Sequence, residues 1–218
     1  MLKNRYKTDT KIECGIDEAG RGSLWGPLYA AAVVWPDESD WTEEIKSISS
    51  QIKDSKKLSA KKRDKLYSEI KKYAVAYGVG TVSHFEIDTW GMSRANRTAF
   101  TRALEALSVV PSRILLDGCL TIDISAELIV EPELDNMYIC VAAASILAKV
   151  SRDNYVLDYV KQHTDLETKY DLSNNKGYGT AKHRAGILKF GKDDSHRNLF
   201  LRKILNSSAP SCAFLEEP

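Results

Sequence analysis

Apolar residues run together or alternate over residues 11–17, 28–35 and 74–82, which predicts three strands whose short connections favour antiparallel pairing. Pro36 and the acidic loop behind it close the second. Ser59 is suited to cap a helix, and Leu66, Ile70, Tyr73 and Ala74 recur behind it at helical spacing. A second helix is expected over 93–107, with Phe100, Ala103, Leu104 and Leu107 on one face and Pro111 at its exit. Residues 113–118 form a continuously apolar fourth strand, as expected for a sheet centre covered on both sides. A fifth strand follows over 127–131. A long helix over 140–163 opens with Val141-Ala142-Ala143-Ala144, small enough to press close to a sheet. Beyond residue 165 the chain turns polar, then forms two short helices around Ile187 and Leu201. The pattern describes an α/β protein: a mixed five-stranded sheet flanked by helices, with a small C-terminal helical region. The expected division is a main domain over 1–165, a helical region over 166–206 and a frayed tail over 207–218.

Composition narrows the class. With 218 residues, 43% apolar and 28% charged, the chain can bury a sizeable core. No apolar run approaches the roughly 20 residues of a membrane span, and the first residues lack a signal-peptide core. Cys14, Cys119, Cys140 and Cys212 are scattered without a C-x-x-C pair, so reduced thiols and a cytoplasmic location are expected. The net charge of +1 hides a strong polarity: basic residues crowd Lys53 to Lys72, whereas acids gather in Asp37 to Glu44 and Asp123 to Asp135. A near-neutral total therefore does not argue against a polyanionic ligand. Taken alone, the lysine stretch reads as a solvated helix face.

The chemistry concentrates in Gly15-Ile16-Asp17-Glu18-Ala19-Gly20-Arg21-Gly22. Carboxylates at a strand end can hold divalent cations, while glycines admit a ligand close to the backbone and arginine pairs with phosphate. Asp117 ends the fourth strand and would lie beside Asp17 if those strands are neighbours. Successive strand residues point to opposite faces. Asp17 and Glu18 are therefore expected to share a site only if the strand breaks at Glu18.

The chain resembles the ribonuclease HII family. The motifs are that opening segment with Gly26-Pro27, Asp54-Ser55-Lys56-Lys57-Leu58, Leu116-Asp117-Gly118, Ala143-Ala144-Ser145 through Arg152-Asp153, Lys176-Gly177-Tyr178-Gly179-Thr180, and His196-Arg197. The resemblance implies a ribonuclease H-like fold and four metal-site acids: Asp17, Glu18, Asp117 and Asp135. The last follows Glu133-Leu134 where the family has Lys-Gly, so Glu133 and Asp123 are local alternatives. It implies two Mg²⁺ or Mn²⁺ ions and endonucleolytic hydrolysis 5′ of ribonucleotides in hybrids or duplex DNA, leaving 3′-hydroxyl and 5′-phosphate ends. Ribonucleotide and primer removal are the implied roles. Gly20, Arg21 and Gly22 are implied to grip the RNA–DNA junction and Tyr178 to stack on the sugar one step 3′. Lys56, Lys57, Lys149 and Lys176 would contact phosphates, and Ser145 the backbone at the cut. Asp153 would support the long helix. Ser23, where the family has proline, and Trp25 depart from the pattern. His84, His163, His183 and His196 form no recognisable catalytic constellation. A monomer without membrane attachment is expected, and Ala213-Phe214-Leu215 could dock on a sliding clamp. A ribonuclease HIII would instead lack Gly20-Arg21-Gly22 and carry an N-terminal binding domain; a catalytically silent binding module would show an eroded acid set.

Overall fold

A computed structural model describes residues 2–206 of the chain. Its strands are β1 (Glu13–Ala19), β2 (Leu28–Val34), β3 (Ala76–Val82), β4 (Arg113–Asp117) and β5 (Glu127–Glu131). They form one sheet in the order β3-β2-β1-β4-β5. β1 pairs antiparallel with β2 and β2 with β3, whereas β4 lies parallel to both β1 and β5. The helices are α1 (Glu43–Ser49), α2 (Ala60–Tyr73), α3 (His84–Trp90), α4 (Met92–Glu105), α5 (Ile139–Gln162), α6 (Thr164–Tyr170), α7 (Leu172–Asn175), α8 (Ala181–Phe190) and α9 (Asn198–Asn206). None is long and apolar enough to cross a membrane among the described residues.

Alternation along the strands builds two layers. Ala31, Val33 and Leu115 face α5, with α1 and α2 behind it, while Cys14, Ile16, Ala30, Ala32, Ile114 and Leu116 face α4. Ile114, Leu115 and Leu116 are all fully buried, as a strand covered on both faces requires. The opening of α5 lies almost against β1. A methyl on Gly15 would sit 2.3 Å from the backbone of Cys140 and Val141, so only glycine admits this approach.

A third cluster sits at the sheet's carboxyl end. Leu166, Tyr170, Leu172, Ile187 and Leu201 pack on Trp25 and on Val156 and Val160 of α5. The C-terminal helices thus carry the 176–180 loop onto the segment that follows β1: the Leu24 amide donates to Gly177 O at 2.8 Å. The tail 207–218, including the expected clamp peptide Ala213-Phe214-Leu215, lies outside the described residues.

Candidate active site

The register Ile16↔Leu116 between parallel β1 and β4 brings Asp17 and Asp117 to adjacent positions at the sheet's carboxyl end. The expected strand break at Glu18 does not occur. β1 continues to Ala19, with Glu18 opposite Ala30 and Ala19 opposite Tyr29. Asp17 and Glu18 therefore point to opposite faces, Asp17 toward Ser145 of α5 and Glu18 toward Asn96 of α4. What unites them is the end of β4: its pairing with β1 has stopped, and the Asp117 charge bears on both side chains.

Asp135 lies in a 3-10 turn, Leu134–Asn136, and is only 3% exposed. The Leu134 amide donates to Asp117 Oδ1 at 2.8 Å, tying this turn to the end of β4. Glu133 and Asp123, the sequence alternatives, are both exposed. Glu133 adopts φ +65° at the turn's entry, and Asp123 lines a surface hollow with Arg94 and Arg97. Asp135 is the acid of this segment that feels Asp117.

The electrostatics are those of a buried acid cluster that its neighbouring cations only partly compensate. Burial, followed by the Glu18 charge, pushes Asp17 far above the carboxylate range. Glu18 is also raised by burial, despite Arg21, whose guanidinium lies 3.8 Å away. Asp135 is raised by burial and then by Asp117 and Asp54. Partial burial pulls Lys56 down, but Asp135, Asp17, Asp54 and Asp117 outweigh it and hold its ammonium charged. Lys56 is therefore a counter-ion to these acids. A set of hard carboxylate oxygens that repel one another fits a hard divalent cation such as Mg²⁺ or Mn²⁺. Among the described residues no three acidic, histidine or cysteine side chains already converge in metal-binding geometry. The acids are an electrostatic cluster at one strand end, and not a preformed cage.

Next to the acids the chain turns through Gly20-Arg21-Gly22. Gly20 has φ +88°, and a methyl there would lie 2.0 Å from Arg152 Nε. Two arginines hold this turn from beneath, both fully buried. Arg197 donates to Gly20 O at 2.7 Å, Arg21 O at 3.2 Å and Gly26 O at 2.8 Å. Arg152 donates to Pro27 O, Trp25 O, Lys176 O and Ser23 Oγ at 2.7–3.2 Å. Burial lowers both guanidinium pKa values, Arg197 to about 9. Ser23 is absorbed here: its Oγ accepts from Arg152 and lies 3.0 Å from Gly20 O. The sequence motifs contain both arginines, but nothing in their spacing indicates that three separated segments wrap them.

Tyr178 is half-buried on the adjoining loop, its ring flanked by Lys149 Nζ at 5.4 Å and the Arg152 guanidinium at 5.3 Å. Lys149 also pairs with Asp153 at 2.8 Å. Lys176 has φ +52° and bonds to Ser173 O, and Lys57 bonds to Asn136 beside Asp135. Ser145 is 3% exposed, lies beside Asp17, and bonds at 2.9 Å to Ser55. Its hydroxyl therefore sits between the Asp54-Ser55-Lys56-Lys57 segment and the end of β1. The geometry thus joins an acid cluster, a glycine turn and an aromatic-basic loop at one end of the sheet.

The family model of ribonuclease HII matches residues 14–203. The chain is 42% identical over 193 residues to a ribonuclease HII of Prochlorococcus marinus, covering 87% of this chain and 96% of the relative. It is 39% identical over 205 residues to that of Caldicellulosiruptor saccharolyticus, covering 94% of each. Among solved structures, ribonuclease H2 from Pyrococcus horikoshii superposes with a TM-score of 0.71 at 27% identity, over 89% of this chain and 97% of that one. The structure of a PCNA–ribonuclease HII complex from Archaeoglobus fulgidus gives 0.67 at 25% identity, over 86% and 94%.

Proposed function

The chain belongs to the ribonuclease HII family, and on that premise we propose that it is an endoribonuclease that cuts the RNA strand of RNA–DNA hybrids and nicks duplex DNA 5′ of an embedded ribonucleotide. The observation that carries this reading is the adjacency of Asp17 and Asp117 on parallel strand ends, beside the turn that Arg152 and Arg197 hold. Asp17, Glu18, Asp117 and Asp135 would hold two divalent cations. When bound, these supply Lewis-acid activation of the attacking oxygen and neutralise charge at the leaving one. Arg197 draws the turn's carbonyls inward, which presents its amide side to the junction. That side can read the 2′-hydroxyl, the group that separates RNA from DNA. Tyr178 stacks on the next sugar, while Lys149 and Lys176 place phosphates without reading sequence. A main domain over 1–165 holds the acids, and the region 166–206 brings Tyr178 to them. The Archaeoglobus complex is the analogy for a clamp contact through Ala213-Phe214-Leu215.

The test is a DNA duplex with one embedded ribonucleotide, incubated with and without Mg²⁺ or Mn²⁺, with the nick mapped to the nucleotide. The expected product is a single metal-dependent cut on the 5′ side of the ribonucleotide, with a 3′-hydroxyl. A cut on its 3′ side, or cleavage undiminished in chelator, contradicts the proposal.

A further inference from the structure

His183 and His196 are both buried, 0% and 1% exposed, and face each other Nε2 to Nε2 at 3.0 Å. Their neighbours dictate their tautomers. His183 Nδ1 lies 2.9 Å from Tyr178 O, which can only accept, so Nδ1 carries the proton. His196 Nδ1 accepts from the Asp193 amide at 2.9 Å, so its proton sits on Nε2. One Nε2–H thus meets one Nε2 lone pair, and the contact is a hydrogen bond between two neutral rings. Burial favours the neutral ring at His183, pushing it down to about 4.

The chain of bonds continues past the rings. Asp193 takes the Trp25 indole N–H on Oδ1 at 2.6 Å. On either side of His196, Gly26 N donates to Ser195 O at 2.9 Å and Arg197 N to Leu24 O at 2.8 Å. The Tyr170 ring meets the His196 ring edge-on at 4.8 Å and closes the pocket. The backbone of Tyr178 is therefore connected, through two imidazoles, to the residues that carry the Gly20-Arg21-Gly22 turn.

We propose that His183 and His196 are positioning residues, a neutral imidazole relay that sets Tyr178 against the glycine turn and so determines how well a lone ribonucleotide is distinguished from a continuous RNA–DNA hybrid. The inference rests on the reading of Tyr178 as the group that stacks on the sugar 3′ of the ribonucleotide. Two features distinguish a relay from filler. Each ring nitrogen has one hydrogen-bond partner of the matching kind, the Asp193 carboxylate standing back at 3.6 Å from His196 Nδ1, so protons are fixed along the whole path. And the path ends on Tyr178 at one side and on the base of the turn at the other, the two loops between which the junction would lie.

The test is the ratio of kcat/KM on a duplex with one ribonucleotide to kcat/KM on a long hybrid, together with Tm. Tyr178→Ala should lower the ratio. His183→Leu, which removes the donor to Tyr178 O, should lower it about tenfold. His183→Asn, whose amide can restore that donor, should return it to within about threefold of native. In a Tyr178→Ala background, His183→Leu should lower the ratio no further. The relay is overturned if Leu and Asn at 183 act alike, if both substrates lose equally, or if the effect persists without Tyr178. Should His183→Leu not fold, His196→Asn keeps an acceptor for the Asp193 amide and releases His183. It carries the same expectation, a lowered ratio that vanishes in the Tyr178→Ala background. If Tyr178→Ala itself leaves the ratio unchanged, the stacking reading fails and the relay loses its purpose with it. If Tyr178→Ala lowers the ratio while the histidine variants do not, the relay alone fails.

Discussion

Asp17→Asn is expected to abolish cleavage and, in the same protein, to stabilise the metal-free fold. The first effect follows from place: Asp17 adjoins Glu18 in sequence and Asp117 across the strand end, and both charges bear on it. Losing the central acid of a two-cation site should cost at least about a thousandfold in rate, roughly 4 kcal/mol of barrier, with duplex affinity changed less than about threefold. The second follows from charge. Burial raises Asp17 well above the unfolded carboxyl range of about 4. The stability of its protonated form is therefore fully present below that range and is lost as pH rises through the raised value. At pH 7.5 in chelator the native protein bears this cost and the asparagine variant does not. Relief of about 1–2 kcal/mol would raise Tm by about 2–4 °C per kcal/mol. The gain should shrink toward pH 4.5. His183, pushed down to about 4, works the other way, losing stability as pH falls below its unfolded value, but it does so in both proteins and cancels in the difference. Mg²⁺ should reverse the order by stabilising the native protein more than the variant. A variant that cleaves normally, or melts lower in chelator at pH 7.5, contradicts the assignment.

Gly20→Ala and Gly22→Ala should part company. At Gly20 the backbone is left-handed, and the new methyl would strike Arg152 at Nε, Cδ and Cζ, 2.0, 2.4 and 2.9 Å away. That side chain is held by bonds to Pro27, Lys176, Trp25 and Ser23 and has nowhere to move. The expected loss is about 2–4 kcal/mol of stability and at least about a hundredfold in junction cleavage. Gly22 is exposed, and nothing lies within 4 Å of a methyl there. Its alanine variant should melt within about 1 °C of native. Any loss in kcat/KM must then come from the substrate's approach to the turn. Melting curves and junction kinetics for both variants settle the point; equal melting temperatures would mean that Arg152 does not brace Gly20.

Much of this architecture was legible because its signals are local. β5 lies where its apolar run predicts, and α5 runs Ile139–Gln162 against an expected 140–163. α1 and α6 were missed because each is a single polar run of seven residues with few buried side chains, Ile45, Ile48 and Ser49 in one and Leu166 and Tyr170 in the other. Such helices are held by tertiary contacts rather than by a periodic face. α3 carried a readable start, the Ser83–Glu86 capping box, in a stretch too short for periodicity to show. Asp117 was readable as a strand-end acid next to glycine, and Asp17 as an acid just ahead of the Gly20-Arg21-Gly22 turn. The unbroken path of β1 through Glu18 was not, because it depends on β2 continuing alongside after β4 has ended. Arg152, Arg197 and the histidine pair stayed hidden for one reason. Each satisfies backbone carbonyls or a ring from a distant segment, and no sequence spacing encodes those partners.

The central claim is that Asp17, Glu18, Asp117 and Asp135 act as one divalent-cation site. Calorimetric titration with Mn²⁺ tests it without reference to turnover. Asp17→Asn, Asp117→Asn and Asp135→Asn should each weaken binding by about tenfold or more, whereas Glu133→Gln and Asp123→Asn should match the native protein. Native affinity in Asp117→Asn, or a loss at Glu133 with none at Asp135, would contradict the account.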